Sequence, residues 1–259
     1  MFKHHKSQLA AIVLLTATLT LGSCQKEKYL NLSPSTVSVH QGETSDAVKI
    51  KSNYETLNHE IEDTFIADIA IFVSNGFDGE IEIKGLHVGK TNLRLFNDDV
   101  DMKFPIEVIG NYNTFSEPPI DFDDTRDSIK AKLGTPLLED FPIDDTTRAF
   151  VYSDSVAERL FVLFFESSTK CKTYALLFND ENVTITNELQ PFLEERYKFY
   201  TTAGDSRLYI DAEQAENAKK AVALSHTNNN HTVMYVDAKW LFRNGDTVEN
   251  LGKSLRQIW

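Results

Sequence analysis

The chain has 259 residues, of which 41% are apolar, and its 26 basic and 39 acidic residues give a formal net charge of −13. This length is enough for two modest domains, and the apolar content is sufficient for hydrophobic cores. The strongly acidic balance repels phosphate groups, which argues against a nucleic-acid partner and against charge-driven binding to anionic membranes.

The beginning of the chain has the composition of a signal peptide. Lys3-His4-His5-Lys6 supplies positive charge, and a largely apolar run extends over residues 9–21. This run is shorter than the roughly 20 apolar residues that a transmembrane helix needs, but it has the length of a signal-peptide core. The segment therefore predicts export from the cytoplasm.

The apolar run ends in Leu21-Gly22-Ser23-Cys24. These residues resemble the lipobox of bacterial lipoproteins, in which the cysteine thiol takes up diacylglycerol. The resemblance implies a signal peptide over residues 1–23, lipidation of Cys24 and a lipidated tether over residues 24–29. Since two or three acyl chains make release from a membrane negligible, we expect an anchor in the outer membrane. The folded part would then face the periplasm or the cell surface.

Residues 30–110 contain many short β-type runs separated by turn residues. Strands are predicted where apolar residues alternate or cluster, and the turns contain Gly, Pro, Asn and Asp. Repetition of strands and turns without helical periodicity predicts an all-β sandwich. The clearest runs cover residues 66–73, 81–83, 93–96 and 104–108.

Several motifs in this region resemble bacterial immunoglobulin-like domains of group 2. The most specific begins at Gly89, a Gly-x-Thr-x-Leu turn in which glycine is expected to supply backbone freedom. Such domains often carry a tryptophan in mid-chain; here it is absent, and Ile61 or Phe65 is expected to fill its place. The resemblance implies a seven-stranded sandwich used as a spacer or adhesion module. The matching segments are Leu32-Ser33-Pro34-Ser35-Thr36-Val37, Gly42, Ile69-Ala70, Gly79-Glu80-Ile81, Gly85, Gly89-Lys90-Thr91-Asn92-Leu93 and Ile106-Glu107-Val108.

The rest of the chain is predicted to be a linker over residues 111–120 and an α+β domain over residues 121–259. A helix is expected to start at Asp124 or Thr125 and to stop at Gly134, and a second helix to cover residues 186–200. Each is followed by three β-type runs. The expected fold is an antiparallel sheet with the helices on one face.

The repeated order of one helix and three strands suggests an αβββ duplication. In this interpretation Phe150-Val151-Tyr152 aligns with Leu208-Tyr209-Ile210, and 174–177 aligns with 233–236. Chance similarity between short strands is the alternative, and the sequence leaves both open. The tail, with Trp240, Leu241, Phe242, Leu251, Leu255 and Trp259, is expected to form an amphipathic helix that packs on this domain.

Two further segments resemble known lipoproteins. Asp127-Ser128-Ile129, followed by Leu133-Gly134-Thr135-Pro136, resembles a helix of small outer-membrane lipoproteins that have a helix–helix–sheet fold. Leu193-Glu194-Glu195-Arg196-Tyr197 resembles uncharacterised lipoproteins of Gram-negative gut anaerobes. Neither resemblance implies a catalytic residue.

Few side chains in the sequence suggest chemistry. His226 and His231 flank a polar turn, so a closed hairpin would bring the imidazoles together, but zinc needs three or four ligands and no third is near in sequence. They are weak metal candidates, and no cofactor is expected. Glu194 and Glu195 are expected on a solvated helix face. Cys171 is expected to be incidental, although its lysine neighbours would lower its pKa if it were exposed.

These features favour a non-enzymatic cell-envelope lipoprotein. The immunoglobulin-like domain would be a stalk that presents the α+β domain, and the latter would bind a protein or a glycan. A sheet face without a helix would be the expected binding surface. The alternatives are a structural accessory subunit of an outer-membrane complex and a divergent hydrolase, which would require acidic residues or histidines converging in a deep cleft.

Overall fold

The computed structural model describes residues 27–74, 78–143, 145–165, 169–227 and 229–243. The predicted signal peptide, Cys24 and the tail from residue 244 lie outside the described residues. Within them, no helix is both long and apolar enough to cross a membrane. The first eight strands are β1 (Leu30–Ser33), β2 (Val37–His40), β3 (Val48–Ser52), β4 (Asn58–Ile61), β5 (Ala67–Ser74), β6 (Asp78–Gly85), β7 (Gly89–Phe96) and β8 (Asp101–Ile109).

These strands form two four-stranded sheets with the orders β1-β3-β6-β5 and β2-β8-β7-β4. Neighbouring strands are antiparallel except β2 and β8, which run parallel. The orders correspond to the A-B-E-D and C-F-G sheets of immunoglobulin domains. The first strand is divided between the two sheets as β1 and β2, which gives eight strands instead of the expected seven. The N-terminal part is therefore an immunoglobulin-like β-sandwich.

Alternating side chains from both sheets fill the core of the sandwich. On β3, Val48 and Ile50 are buried while the intervening Lys49 is exposed, because successive strand residues point to opposite faces. Ile61 on β4 belongs to this core. Immunoglobulin domains carry their buried tryptophan on the corresponding strand, so Ile61 occupies that place. Phe65 is buried against the ring of His87, with ring centroids 3.9 Å apart.

Gly89 begins both the motif and strand β7, and a larger residue would not fit at this position. Gly89 does not adopt a positive φ, so the expectation of backbone freedom was wrong there. Instead, a Cβ atom at this position would lie 2.6 Å from Cδ1 of Ile66. The threonine of the motif, Thr91, accepts a hydrogen bond from the Asp63 backbone N–H at 2.9 Å, and Leu93 is fully buried in the core.

The second half of the chain forms one sheet of eight antiparallel strands, in the order β13-β14-β15-β16-β12-β11-β10-β9. Each of the first two helices is followed by four strands, so the expected count of three was wrong. The missed strands, β9 and β13, form the two edges and are largely exposed, so they lack a clear apolar period. The elements are α1 (Arg126–Leu133), β9 (Leu138–Pro142), β10 (Thr147–Ser153), β11 (Arg159–Phe165), β12 (Thr173–Asn179), α2 (Val183–Glu194), β13 (Lys198–Ala203), β14 (Ser206–Ile210), β15 (Lys220–Thr227), β16 (Asn230–Asp237) and α3 (Ala238–Arg243).

The helix ends have identifiable causes. Thr125 caps α1 by accepting a hydrogen bond from the Ser128 N–H, and Gly134 follows the helix with a φ of 82°. Helix α2 begins at Val183 after the cap residue Asn182, earlier than expected. Pro191 therefore lies inside the helix, where its ring nitrogen has no hydrogen to donate. The helix ends three residues after this proline.

The two predicted helices, α1 and α2, lie on one face of the sheet as expected, whereas α3 lies on the other face. Side chains of α1 and α2 pack in the same core as Phe150 and Tyr174. Helix α3 packs on the opposite face, where Leu241 joins a second core. A buried cluster of Ala149, Val151, Phe161, Leu163 and Leu177 also lies on that face, and its members are at most 7% exposed. On the edge strand β9, Leu138 and Phe141 are 50% and 38% exposed opposite Val151 and Ala149. The middle strands of that face are therefore buried, and exposed apolar side chains remain at its β9 edge.

The predicted internal alignment fails in one of its two segments. Phe150 and Tyr152 face α1 and α2, whereas their proposed counterparts Leu208 and Ile210 face α3. A shift of one residue moves every strand side chain to the other face, so this alignment is out of register. The second segment keeps its face, because residues 174 and 176 and their counterparts 233 and 235 all point toward α1 and α2.

Candidate functional site

The junction between the sandwich and the eight-stranded sheet is built around Glu195, which is 5% exposed. Its carboxylate accepts hydrogen bonds from the backbone N–H of Asn111 at 2.9 Å, the amide of the same residue at 2.8 Å and the backbone N–H of Tyr112 at 3.0 Å. Its carbonyl oxygen accepts from the Val88 N–H at 2.8 Å. The expectation of a solvated Glu194–Glu195 face was therefore wrong for Glu195.

Residues 111–120, predicted to be a linker, are irregular but docked. Phe115 and Ile120 are each 7% exposed and belong to the core under α2. At the start of the segment, a Cβ on Gly110 would lie 2.8 Å from Oε2 of Glu195, so only glycine fits this approach without movement. The segment consequently connects the two parts of the chain along a defined path.

A cleft of about 320 Å³ opens at this junction and contains a polar network. The hydroxyl of Tyr197 donates to Glu117 at 2.6 Å, and Nζ of Lys220 donates to Glu117 at 3.1 Å. Burial, together with the Glu117 charge, holds the pKa of Tyr197 well above its ordinary value. Two other carboxylates of the cleft accept backbone hydrogen bonds, Asp63 from residue 65 and Asp211 from residues 219 and 220. The carboxylates of Asp63 and Asp211 thus hold the local backbone through these hydrogen bonds.

Cys171 is fully buried, and burial raises the pKa of its thiol to about 12. We predict that, in a Cys24→Ala background, the native protein reacts with Ellman's reagent at least about 100-fold more slowly than the unfolded protein, because the thiolate is the reactive form. Thiol titration with and without denaturant measures both rates. Rapid labelling of the native protein would contradict the buried position.

In the described part of the chain, one group of three His, Cys, Asp or Glu side chains lies close enough together to hold a metal ion. Its members are Asp180, His226 and His231. Nε2 of His226 lies 2.6 Å from Oδ2 of Asp180, and Nδ1 of His231 lies 2.7 Å from Oδ1. The two imidazole rings are stacked with centroids 4.3 Å apart. The predicted closing of the hairpin thus brings the two histidines together, and Asp180 bridges them.

Strand pairing explains how these residues meet. His226 on β15 and His231 on β16 are directly opposite partners beside the hairpin turn. Asp180 follows β12, the other neighbour of β16, and its backbone N–H donates to the carbonyl of Asn229 at 3.1 Å. The site therefore lies at one end of the sheet and combines a hairpin with the turn that precedes α2.

Asp180 is suited to remain a carboxylate. Partial burial acts to raise its pKa, but hydrogen bonds from His226 and His231 outweigh this effect and lower the pKa from its usual value. The side chains are accessible, with 56% of His226, 23% of His231 and 29% of Asp180 exposed. Sequence reasoning missed Asp180 because 46 residues separate it from His226, and the pairing of β12 with β16 was not predicted.

No protein-family model matches the chain, and no curated protein sequence matches it. Among solved structures, domains 4 and 5 of the S-layer protein SbsC are 16% identical over 31% of this chain and 51% of that one, with a TM-score of 0.28. Domains 5–6 of SbsC are 12% identical over 81% and 85%, with a TM-score of 0.29. The adhesin InvE of Yersinia pseudotuberculosis is 12% identical over 82% and 51%, with a TM-score of 0.26.

This chain thus spans about half the length of the first SbsC structure and of InvE. These TM-scores are too low to establish a shared fold, so the structural class is assigned from the strand order of the chain itself. That order defines a protein with an immunoglobulin-like sandwich joined to an eight-stranded antiparallel sheet.

Proposed function

We propose that the chain is a non-enzymatic lipoprotein of the cell envelope. The immunoglobulin-like sandwich, residues 30–110, acts as a spacer above a lipid anchor at Cys24. Residues 121–259 form an α+β module that binds a protein or a glycan. The observation that supports this proposal is the buried junction at Glu195, because a spacer with a fixed junction presents the next module at a set height and orientation.

The proposed contact region of the module is the edge of the sheet at β13. The middle strands are buried on both faces, whereas Phe199 is 49% exposed and Tyr200 is 45% exposed on this edge strand. The ring of Phe242 lies 5.9 Å from that of Tyr200 and is itself 37% exposed. These exposed aromatic side chains lie along one edge of the sheet, and aromatic side chains supply large contact areas for protein or sugar partners.

Site-specific photocrosslinking in native envelopes tests this function. A photoreactive residue replacing Phe199 in the full chain is expected to give discrete adducts. The matched control replaces Ile71, which is 46% exposed on the sandwich, and is expected to give none. Digestion of the adducts with protease or glycosidase separates a protein from a glycan partner. Absence of adducts at residue 199, or equal adducts at both positions, would count against the proposed binding region.

The anchor is tested by metabolic labelling with a fatty acid. The unmodified chain is expected to incorporate label, and Cys24→Ala to lose all incorporation, because the thiol is the attachment point that the lipobox resemblance implies. Cys171→Ala is the control and should keep the label. Continued labelling of Cys24→Ala, or no labelling of the unmodified chain, would refute the anchor while leaving the proposed binding region to its own test.

A further inference from the structure

The cluster of Asp180, His226 and His231 has the donor set of a transition-metal site. Zinc is commonly bound by imidazole nitrogen and carboxylate oxygen, and imidazole also suits Cu²⁺ and Ni²⁺. The three ligand atoms lie within 4.8 Å of one another. Because ligands of a tetrahedral zinc ion are roughly 3.3 Å apart, the ligand atoms would need to approach one another by at most about 1.5 Å. The stacked imidazole rings would also need to rotate so that their lone pairs point at a common ion.

The backbone holds these ligands in place before any ion binds. The histidines are opposite partners in a hairpin, and the hydrogen bond from Asp180 to Asn229 fixes the third ligand to the same hairpin. On the neighbouring strand β12, the buried Phe178 is the cross-strand partner of His231 on β16. Ligands carried at the ends of packed strands keep their spacing better than ligands on long loops.

We propose that Asp180, His226 and His231 bind a divalent transition-metal ion of the zinc class. Three protein ligands leave a fourth position for water or for a donor from another molecule. On binding, the ion takes the place of the two hydrogen bonds to Asp180. Each neutral imidazole then carries its proton on its other ring nitrogen, so that Nε2 of His226 and Nδ1 of His231 present lone pairs to the ion. This site is independent of the proposed role of β13.

Isothermal titration of the full chain with Zn²⁺, without an affinity tag, tests the site. All proteins compared carry His4→Ala and His5→Ala, so that this adjacent pair does not contribute. One Zn²⁺ per chain is expected. His226→Ala and Asp180→Asn should each weaken binding at least about tenfold, since loss of even supporting groups around a metal costs that much. The matched control, His40→Ala, replaces an exposed histidine of the sandwich and should leave the affinity unchanged.

A second measurement separates metal binding from a fault in folding. His226 is the most exposed of the three ligands, so His226→Ala should retain the circular dichroism spectrum of the parent protein. Bound Co²⁺ should give the intense visible absorption of a four-coordinate ion in the parent and lose it in His226→Ala. Absence of Zn²⁺ binding, or equal affinity in the parent, His226→Ala and Asp180→Asn, would show that the cluster is only a hydrogen-bonded tie.

Discussion

Replacing Glu195 by alanine is expected to lower the free energy of unfolding by on the order of 3 kcal/mol. The substitution removes a buried carboxylate that accepts three hydrogen bonds from Asn111 and Tyr112. Hydrogen bonds to a charged group contribute about 1.5–3 kcal/mol each, and two backbone N–H groups would lose their acceptor. Urea unfolding monitored by circular dichroism measures the change.

Glu194→Ala is the matched control for this experiment. Glu194 is 46% exposed, accepts one hydrogen bond from Gln190 and lies 3.6 Å from Arg207. Exposed pairs of this kind contribute about 0–1 kcal/mol, so Glu194→Ala should be nearly neutral. If Glu195→Ala were equally neutral, the carboxylate would not hold the junction, and the support for a fixed spacer would be lost.

Phe192→Ala is expected to have the largest effect on stability, a loss of about 3–5 kcal/mol, because truncation of a buried Phe removes transfer free energy and leaves a cavity. Phe192 is 1% exposed on α2, and its ring lies 4.2 Å from that of Phe115 in the docked linker. The guanidinium of Arg196 lies 3.6 Å from the centre of the same ring. One side chain thus joins the helix, the sheet core and the linker.

Val183→Ala in the same helix provides the control, since Val183 is 61% exposed. Its effect should stay within about 0.5 kcal/mol, as for most surface substitutions. Both variants can be compared in the urea titration used for Glu195. A loss below about 1 kcal/mol for Phe192→Ala would mean that α2 is not held against the sheet by this residue.

The class of the N-terminal region could be predicted because it depends on local patterns. Alternation of apolar and polar residues, as in Val48, Lys49 and Ile50, records which side of a strand faces a core. Edge strands β9 and β13 lack this alternation of apolar and polar residues, since both of their faces are largely exposed. Helix α2 was predicted over residues 186–200, but it begins at Val183 and ends at Glu194, with Pro191 in its interior.

The contacts of Glu195 at the junction and the position of Asp180 beside the two histidines could not be predicted from sequence, for a related reason. Glu195 and Asn111 are 84 residues apart, and Asp180 and His226 are 46 apart. Which residues meet at such separations depends on strand order, and strand order depends on the burial of whole faces. A short stretch of sequence specifies neither the strand order nor the burial of whole sheet faces.

The amino-acid sequence was therefore sufficient for local properties: the acidic charge, the lipobox resemblance at Cys24, the β character of residues 30–110 and the closeness of His226 to His231 across one turn. The folded chain was needed for properties that depend on burial and on distant partners. Packing made Glu195 a buried acceptor although its neighbour Glu194 stayed in solvent, and the pairing of β12 with β16 placed Asp180 between the histidines. Local sequence specifies which groups are available, and long-range packing selects the surroundings that give them a role.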